Sequence, residues 1–125
     1  MAWTCQLVLA LQYLHTRPHC VLHRDIKLAN VFLEGRMCVK LGDFGLARTL
    51  TSESQLAETV MQGTWRDSAD GSGGQACGTP YYLSPELCLG QPYDEKSDCW
   101  ALGCLLYELM TLERPFNVLL QRPGG

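Results

Sequence analysis

Two acidic residues, Asp25 and Asp43, stand 18 positions apart (43 − 25) with a hairpin signature between them. No other feature of the chain constrains its fold as much. Val31-Phe32-Leu33 and Val39-Lys40-Leu41 are short runs rich in β-branched and aromatic residues, and Gly35 falls in the turn that separates them. A hairpin folds its own ends together, so residues flanking it meet. Asp25, Lys27 and Asn30 come just before it and Asp43-Phe44-Gly45 just after it. Both acids are therefore expected at one cleft, with Gly45 permitting the sharp change of backbone direction.

The flanking segments divide by periodicity. Residues 5–15 place Leu7, Leu11 and Leu14 on one helical face, and Pro18 ends that helix. Cys20 to Leu22 can form a short strand leading into His23-Arg24-Asp25. From Thr49 to Ala76 the chain is polar, and Asp70-Gly71-Ser72-Gly73-Gly74 is a flexible run. Ser84 to Leu89 reads as a short helix capped by Ser84, with Pro85 in its first turn and Gly90 ending it. Ser97 to Leu112 is apolar nearly all round, which predicts a helix buried at the domain centre. His15 and His19 read as helix-end or surface residues, and His23 as a packed one.

Composition narrows the class. The 125 residues, 46% hydrophobic, suffice for one domain and not two. A net charge of −3 gives no reason to expect nucleic acid or an anionic membrane as the main partner. No apolar run reaches the roughly 18 residues that suggest a membrane span. The N-terminus lacks a basic stretch ahead of its apolar residues, so no signal peptide is expected. Seven cysteines, at 5, 20, 38, 77, 88, 99 and 104, contain no Cys-x-x-Cys pair. They read as small hydrophobes in a reducing cytosol or nucleus rather than zinc ligands or disulfides.

The run His23-Arg24-Asp25-Ile26-Lys27-Leu28-Ala29-Asn30 has a pattern suited to phosphoryl transfer, which needs a positioned hydroxyl and neutralised phosphate charge. The Asp25 carboxylate can accept or orient the hydroxyl proton, Lys27 can reach the transferring phosphate, and Asn30 can offer its amide oxygen to a metal. Asp43 can bind the magnesium that bridges nucleotide phosphates. Three such residues alone would pass for a surface turn; the full eight-residue pattern makes that reading improbable. Gly78-Thr79-Pro80-Tyr81-Tyr82-Leu83-Ser84-Pro85-Glu86 adds a recognition loop, with the Thr79 hydroxyl expected beside the base.

Together these motifs resemble those of eukaryotic protein kinases over nearly the whole chain. The resemblance implies ATP and Mg2+ as cofactors and protein serine or threonine as substrate. Asp25 and Lys27 then serve catalysis, Lys27, Asn30 and Asp43 bind the nucleotide, and Asn30 and Asp43 hold the metal. Lys27 and Thr79 favour serine/threonine over tyrosine specificity. Asp98 matches the aspartate that fixes the catalytic-loop backbone, a structural role, and Glu86 matches a structural glutamate that pairs with an arginine in related kinases. Residues 39–48, 78–87 and 96–109 resemble the NIMA-related (NEK) kinases in particular. The implied fold class is mainly α with small β hairpins, a partial kinase-like C-terminal lobe (α+β) with the N-terminal lobe absent. The domain assignment is residues 1–125 as a partial catalytic domain, with an activation segment at 43–86. The implied location is cytoplasmic, with nucleus and cytoskeleton as further sites; oligomeric state is not implied.

The sequence also departs from that family. It has no Gly-rich loop, no Val-Ala-Ile-Lys strand and no partner glutamate helix, so the isolated chain is expected to be inactive. In related kinases the arginine that pairs with the glutamate at the place of Glu86 lies further on than Gly125, so Glu86 is expected to lack that partner. Removing residues 61–76 would place Thr59 three residues before Gly78-Thr79-Pro80, where NEK kinases carry a regulatory threonine; 61–76 is thus expected to be an insertion, arising from alternative or faulty splicing, with natural loop extension as the alternative. Phosphate on Thr59 would pair with Arg24, with Thr51, Ser52, Ser54, Thr64 and Ser68 as weaker substitutes. A second function stays open: a non-catalytic truncated isoform or decoy that acts as a protein-binding fragment.

Overall fold

Helix α1 runs over Ala2–His15, starting three residues before the expected span of 5–15. In the computed structural model, residues 2–49, 80–89 and 91–116 are described. Leu7 and Leu11 are buried, as the four-residue spacing demands, and Leu14 is half-buried. Strand β1 (Val21–Leu22) follows, then a 3-10 turn at Leu28–Asn30 and the hairpin strands β2 (Val31–Glu34) and β3 (Cys38–Leu41). Gly35 takes φ 64° in the connecting turn, a conformation that disfavours any residue with a Cβ. Strand β4 is Arg48–Thr49, helix α2 is Pro85–Cys88 and helix α3 is Glu95–Thr111.

The hairpin register pairs Val31 with Leu41 and Glu34 with Cys38, so Asn30 and Gly42 are next along the ladder. The second antiparallel pair joins Val21 to Thr49 and Leu22 to Arg48. It closes across the intervening hairpin and no local pattern announces it. Gln6 on α1 fastens the hairpin to the helix: its Nε2 donates to the Met37 carbonyl at 2.7 Å, and its Oε1 accepts from the Val39 amide at 2.7 Å.

The expected fold class needs correction. Among the described residues one of the two ladders is a hairpin and the other is not, and a leading helix packs directly on the antiparallel strand β3. A C-terminal lobe alone, with small hairpins and no N-terminal lobe, is therefore not carried forward. Turn signals report local hairpins, whereas the β1–β4 pair depends on backbone groups 26 or more residues apart (48 − 22).

Helix α3 starts from Asp94, whose carboxylate accepts from the amides of Lys96 (2.8 Å) and Ser97 (3.2 Å), while Ser97 returns a contact to the Asp94 amide. Its buried residues are Ser97, Asp98, Ala101, Leu102, Cys104 and Leu105, a single stripe. The expectation of burial all round is corrected by Met110, 79% exposed, and the exposed Tyr107. Leu7, Leu11, Ile26, Ala101, Leu102 and Leu105 form the main core cluster, and Leu22, Leu87 and Tyr93 form a second. Among the described residues every cysteine is a free thiol. No helix among them is long and apolar enough to cross a membrane.

Helix α3 ends at Leu112, held in the left-handed conformation (φ 59°, ψ 18°) and 88% exposed. A leucine there is strained and buries almost nothing, whereas glycine adopts this C-terminal position freely. Leu112→Gly should therefore stabilise the fold by about 0.5–1 kcal/mol, read as a higher urea midpoint at unchanged slope.

Candidate active site

The loop from His23 to Asn30 is held from beneath by Asp98, which is fully buried. Its Oδ2 accepts from the His23 amide at 2.9 Å and faces His15 Nε2 at 2.8 Å. Its Oδ1 accepts from the Arg24 amide at 3.0 Å and from the Tyr93 hydroxyl. Arg24 itself sits at φ 68°, a left-handed turn that a residue with a Cβ adopts only when surrounding contacts impose it. Burial drives the Asp98 carboxyl upward, but the donors of His15, Tyr93, His23 and Arg24 outweigh it and leave the carboxyl below its ordinary value.

On the upper side of the loop the polar residues contact one another. Asn30 Nδ2 donates to the Asp25 carbonyl at 2.7 Å and to Asp25 Oδ2 at 3.0 Å. The Lys27 ammonium lies 3.4 Å from Asp25 Oδ1. The Asp25 amide donates to His23 Nδ1 at 3.2 Å. Asn30 thus directs its amide nitrogen at Asp25, and its Oδ1 takes no part in that contact.

The second motif is tied to this loop through Gly42. The Gly42 amide donates to the Asn30 carbonyl at 2.9 Å, and the Gly42 carbonyl meets His23 Nε2 at 3.0 Å. The Phe44 ring lies against His23, with centroids 4.9 Å apart. Asp43 is exposed and holds φ 57°. The sharp turn thus falls on Asp43 rather than Gly45, because the Gly45 amide donates to Asp43 Oδ1 at 3.3 Å and holds the aspartate in a conformation that Asx side chains tolerate. The structure therefore brings Asp25, Lys27 and Asn30 together and ties Asp43 to them through its neighbour.

Glu86 has a partner where none was expected. The Ser97 hydroxyl donates to its Oε1 at 2.7 Å. Burial pushes the Glu86 carboxyl upward, yet the Ser97 bond with the local backbone contact holds it below the usual range. Arg24 places its guanidinium 5.8 Å from the Tyr93 ring centroid. Thr59, Thr79, Gly90 and the segment 61–76 lie outside the described residues.

Several contributors escaped the sequence reading. His15, read as a helix-end residue, is mostly buried and faces Asp98; its spacing of four from Leu11 was the available signal. Tyr82 accepts from the Leu28 amide at 3.3 Å and donates to Glu108, so it links the loop to α3. Burial, followed by that bond to Glu108, pushes the Tyr82 hydroxyl up to about 12.

Hard oxygen donors of this kind suit Mg2+, which binds through one or two protein ligands, phosphates and water rather than an all-protein cage. No group of three or more His, Cys, Asp or Glu side chains is arranged to hold a metal among the described residues.

A loop built on a buried aspartate and hydrogen-bonded to a second acidic motif is the arrangement of a protein kinase. The chain belongs to the protein kinase domain family, which matches residues 1–121. That match begins at the first residue and covers the helix and the antiparallel strands alike, which completes the correction of the lobe assignment. Serine/threonine-protein kinase Nek5 of Mus musculus is 47% identical over 118 residues, 94% of this chain and 16% of its own length. Serine/threonine-protein kinase Nek2 of Homo sapiens is 49% identical over 120 residues, 94% of this chain and 23% of its own length. The probable serine/threonine-protein kinase nek3 of Dictyostelium discoideum is 47% identical over 121 residues, 94% of this chain and 9% of its own length. The chain thus spans less than a quarter of each of these relatives.

Proposed function

We propose that this chain carries the magnesium-binding and phosphoryl-transfer residues of a NEK-type serine/threonine protein kinase. The observation that supports this most is the pair of hydrogen bonds from Gly42 to Asn30 and His23, which joins the acidic motif to the loop of Asp25. In this reading Asp25 takes the proton of the substrate hydroxyl, and Lys27 presents its positive charge to the phosphoryl oxygens. Asn30 through its amide oxygen and Asp43 through its carboxylate would hold Mg2+. Bound there, Mg2+–ATP supplies the transferable phosphoryl group and neutralises its charge. Asp98 and Glu86 keep structural roles. Thr79 positions substrate, and phosphate on Thr59 pairs with Arg24. Residues 43–86 form the activation segment, with 61–76 inserted in it. The partners are ATP and protein substrates, in the cytoplasm, nucleus or cytoskeleton.

The test has two readouts on the 125-residue chain. Adding Mg2+ with a non-hydrolysable ATP analogue should shift the NMR signals of Asn30 and Asp43, and Asp43→Asn should abolish the metal-dependent part. Any Mg2+–ATP transfer to casein should fall at least about 100-fold in Asp25→Ala. Transfer retained in that variant would remove Asp25 from its role. Nucleotide binding with no transfer is the result expected of a chain that is inactive in isolation; absence of nucleotide binding as well would favour the binding-fragment alternative.

A further inference from the structure

Asp98 is shared in a regular way: each carboxylate oxygen takes one backbone amide of the loop and faces one side chain from elsewhere. Oδ2 takes the His23 amide and His15; Oδ1 takes the Arg24 amide and Tyr93. Tyr93 is buried and stands one residue before Asp94, the cap of α3. Asp98 is the fourth residue of that helix. These are the two positions that pack as a hydrophobic staple where both are apolar. Here the staple is a hydroxyl on a carboxylate. The Tyr93 ring also lies under the Arg24 guanidinium, 5.8 Å from it, within cation–π range.

Tyr93 therefore meets Arg24 from two sides, its side chain through the ring and its amide through Asp98 Oδ1. Arg24 is the left-handed residue immediately before Asp25. We infer that Tyr93 is a positioning residue for Asp25: its hydroxyl orients Asp98 Oδ1 toward the Arg24 amide, and its ring steadies the Arg24 side chain. The positioning role rests on the phosphoryl-transfer reading; the coupling from Tyr93 to Arg24 does not.

The coupling is specific, which separates it from a general contribution to stability. Removing the hydroxyl takes one donor from Oδ1, the oxygen that the Arg24 amide uses, and leaves Oδ2 with both of its own. Removing His15 does the reverse. A residue that only stabilises the fold would loosen all amides that exchange through global opening by a common factor.

Amide hydrogen exchange of the chain, followed residue by residue, decides this. In Tyr93→Phe the Arg24 amide should exchange about tenfold faster relative to the core amide of Leu105, the change expected when a bond to a charged acceptor is weakened. In His15→Ala the preferential acceleration should move to His23. A common factor at Arg24 and Leu105, or no change at either, would overturn the inference. Should Tyr93→Phe fail to fold, the wild-type chain labelled at tyrosine Cζ gives the answer. Burial and then the Asp98 charge push the Tyr93 hydroxyl upward, so its Cζ signal should stay constant through pH 10, about where free tyrosine titrates. Titration of Tyr93 near that value would sink the proposal. Exchange reads Arg24 whether or not phosphate is transferred. Loss of the kinase reading thus leaves the coupling standing, and an active chain without preferential acceleration at Arg24 refutes Tyr93 alone.

Discussion

Asp98→Asn should cost about 3–5 kcal/mol of folding stability, a large part of the 5–15 kcal/mol typical of a domain. The carboxylate accepts from two backbone amides and the Tyr93 hydroxyl and faces His15, all around a fully buried side chain. Asparagine keeps the shape but replaces one oxygen by an NH2 group, which then confronts two donors with two more hydrogens. Each donor left unsatisfied in a buried place costs about 1–3 kcal/mol. The backbone consequence is as important as the energy. Arg24 is held at φ 68°, and without an acceptor at Oδ1 it has less reason to stay there. Urea unfolding should show a much lower midpoint at similar slope. A midpoint within the scatter of surface variants would mean that the loop does not depend on Asp98.

The same carboxylate sets an acid limit. Its value is lowered in the folded state, because the bonds from His15, Tyr93, His23 and Arg24 outweigh the upward push of burial. A group with a depressed folded value contributes stability that is fully present above its unfolded value and is lost as pH falls through its folded value. Stability should therefore decline from about pH 4 downward, starting near the ordinary aspartate value. In Asp98→Asn that part of the decline should be missing, which a pH series of urea midpoints reads directly.

How far the sequence carried this picture depended on range. Helices α1 and α3 and the hairpin β2–β3 were legible because their signals are local: a four-residue leucine spacing, a long apolar run, and two strands about a glycine. The lobe assignment did not hold, and the β1–β4 pair went unseen, because nothing near Val21 names Arg48 or Thr49 as a partner. The motif residues were legible as letters, but their backbone was not. Asp43, in the left-handed region, takes the sharp change of direction expected of Gly45, since the Gly45 amide bonds back to its carboxylate. Glu86 finds Ser97, a partner set by how α2 meets the start of α3 and not by charge pairing. His15 and Tyr93 were missed for a related reason. Each is an ordinary residue in its own segment and acquires a role only because both converge on Asp98.

Leu105→Ala is the second large effect, about 2–5 kcal/mol destabilising. Leu105 is completely buried on α3 and shares a cluster with Leu7 and Leu11 of α1 and with Ile26. Truncation removes apolar area and leaves a cavity that three separate segments would have to close. Leu89, 74% exposed, is the matched control, and Leu89→Ala should stay within about 0.5 kcal/mol of the parent. Equal effects at the two positions would refute the core assignment. The cavity would also open beside Ile26, the residue that follows Asp25. Leu105→Ala should therefore raise amide exchange across the whole His23–Asn30 loop, in contrast to Tyr93→Phe, whose effect is confined to Arg24. Core packing determines whether the loop is present; the hydrogen bonds to Asp98 determine the shape it takes.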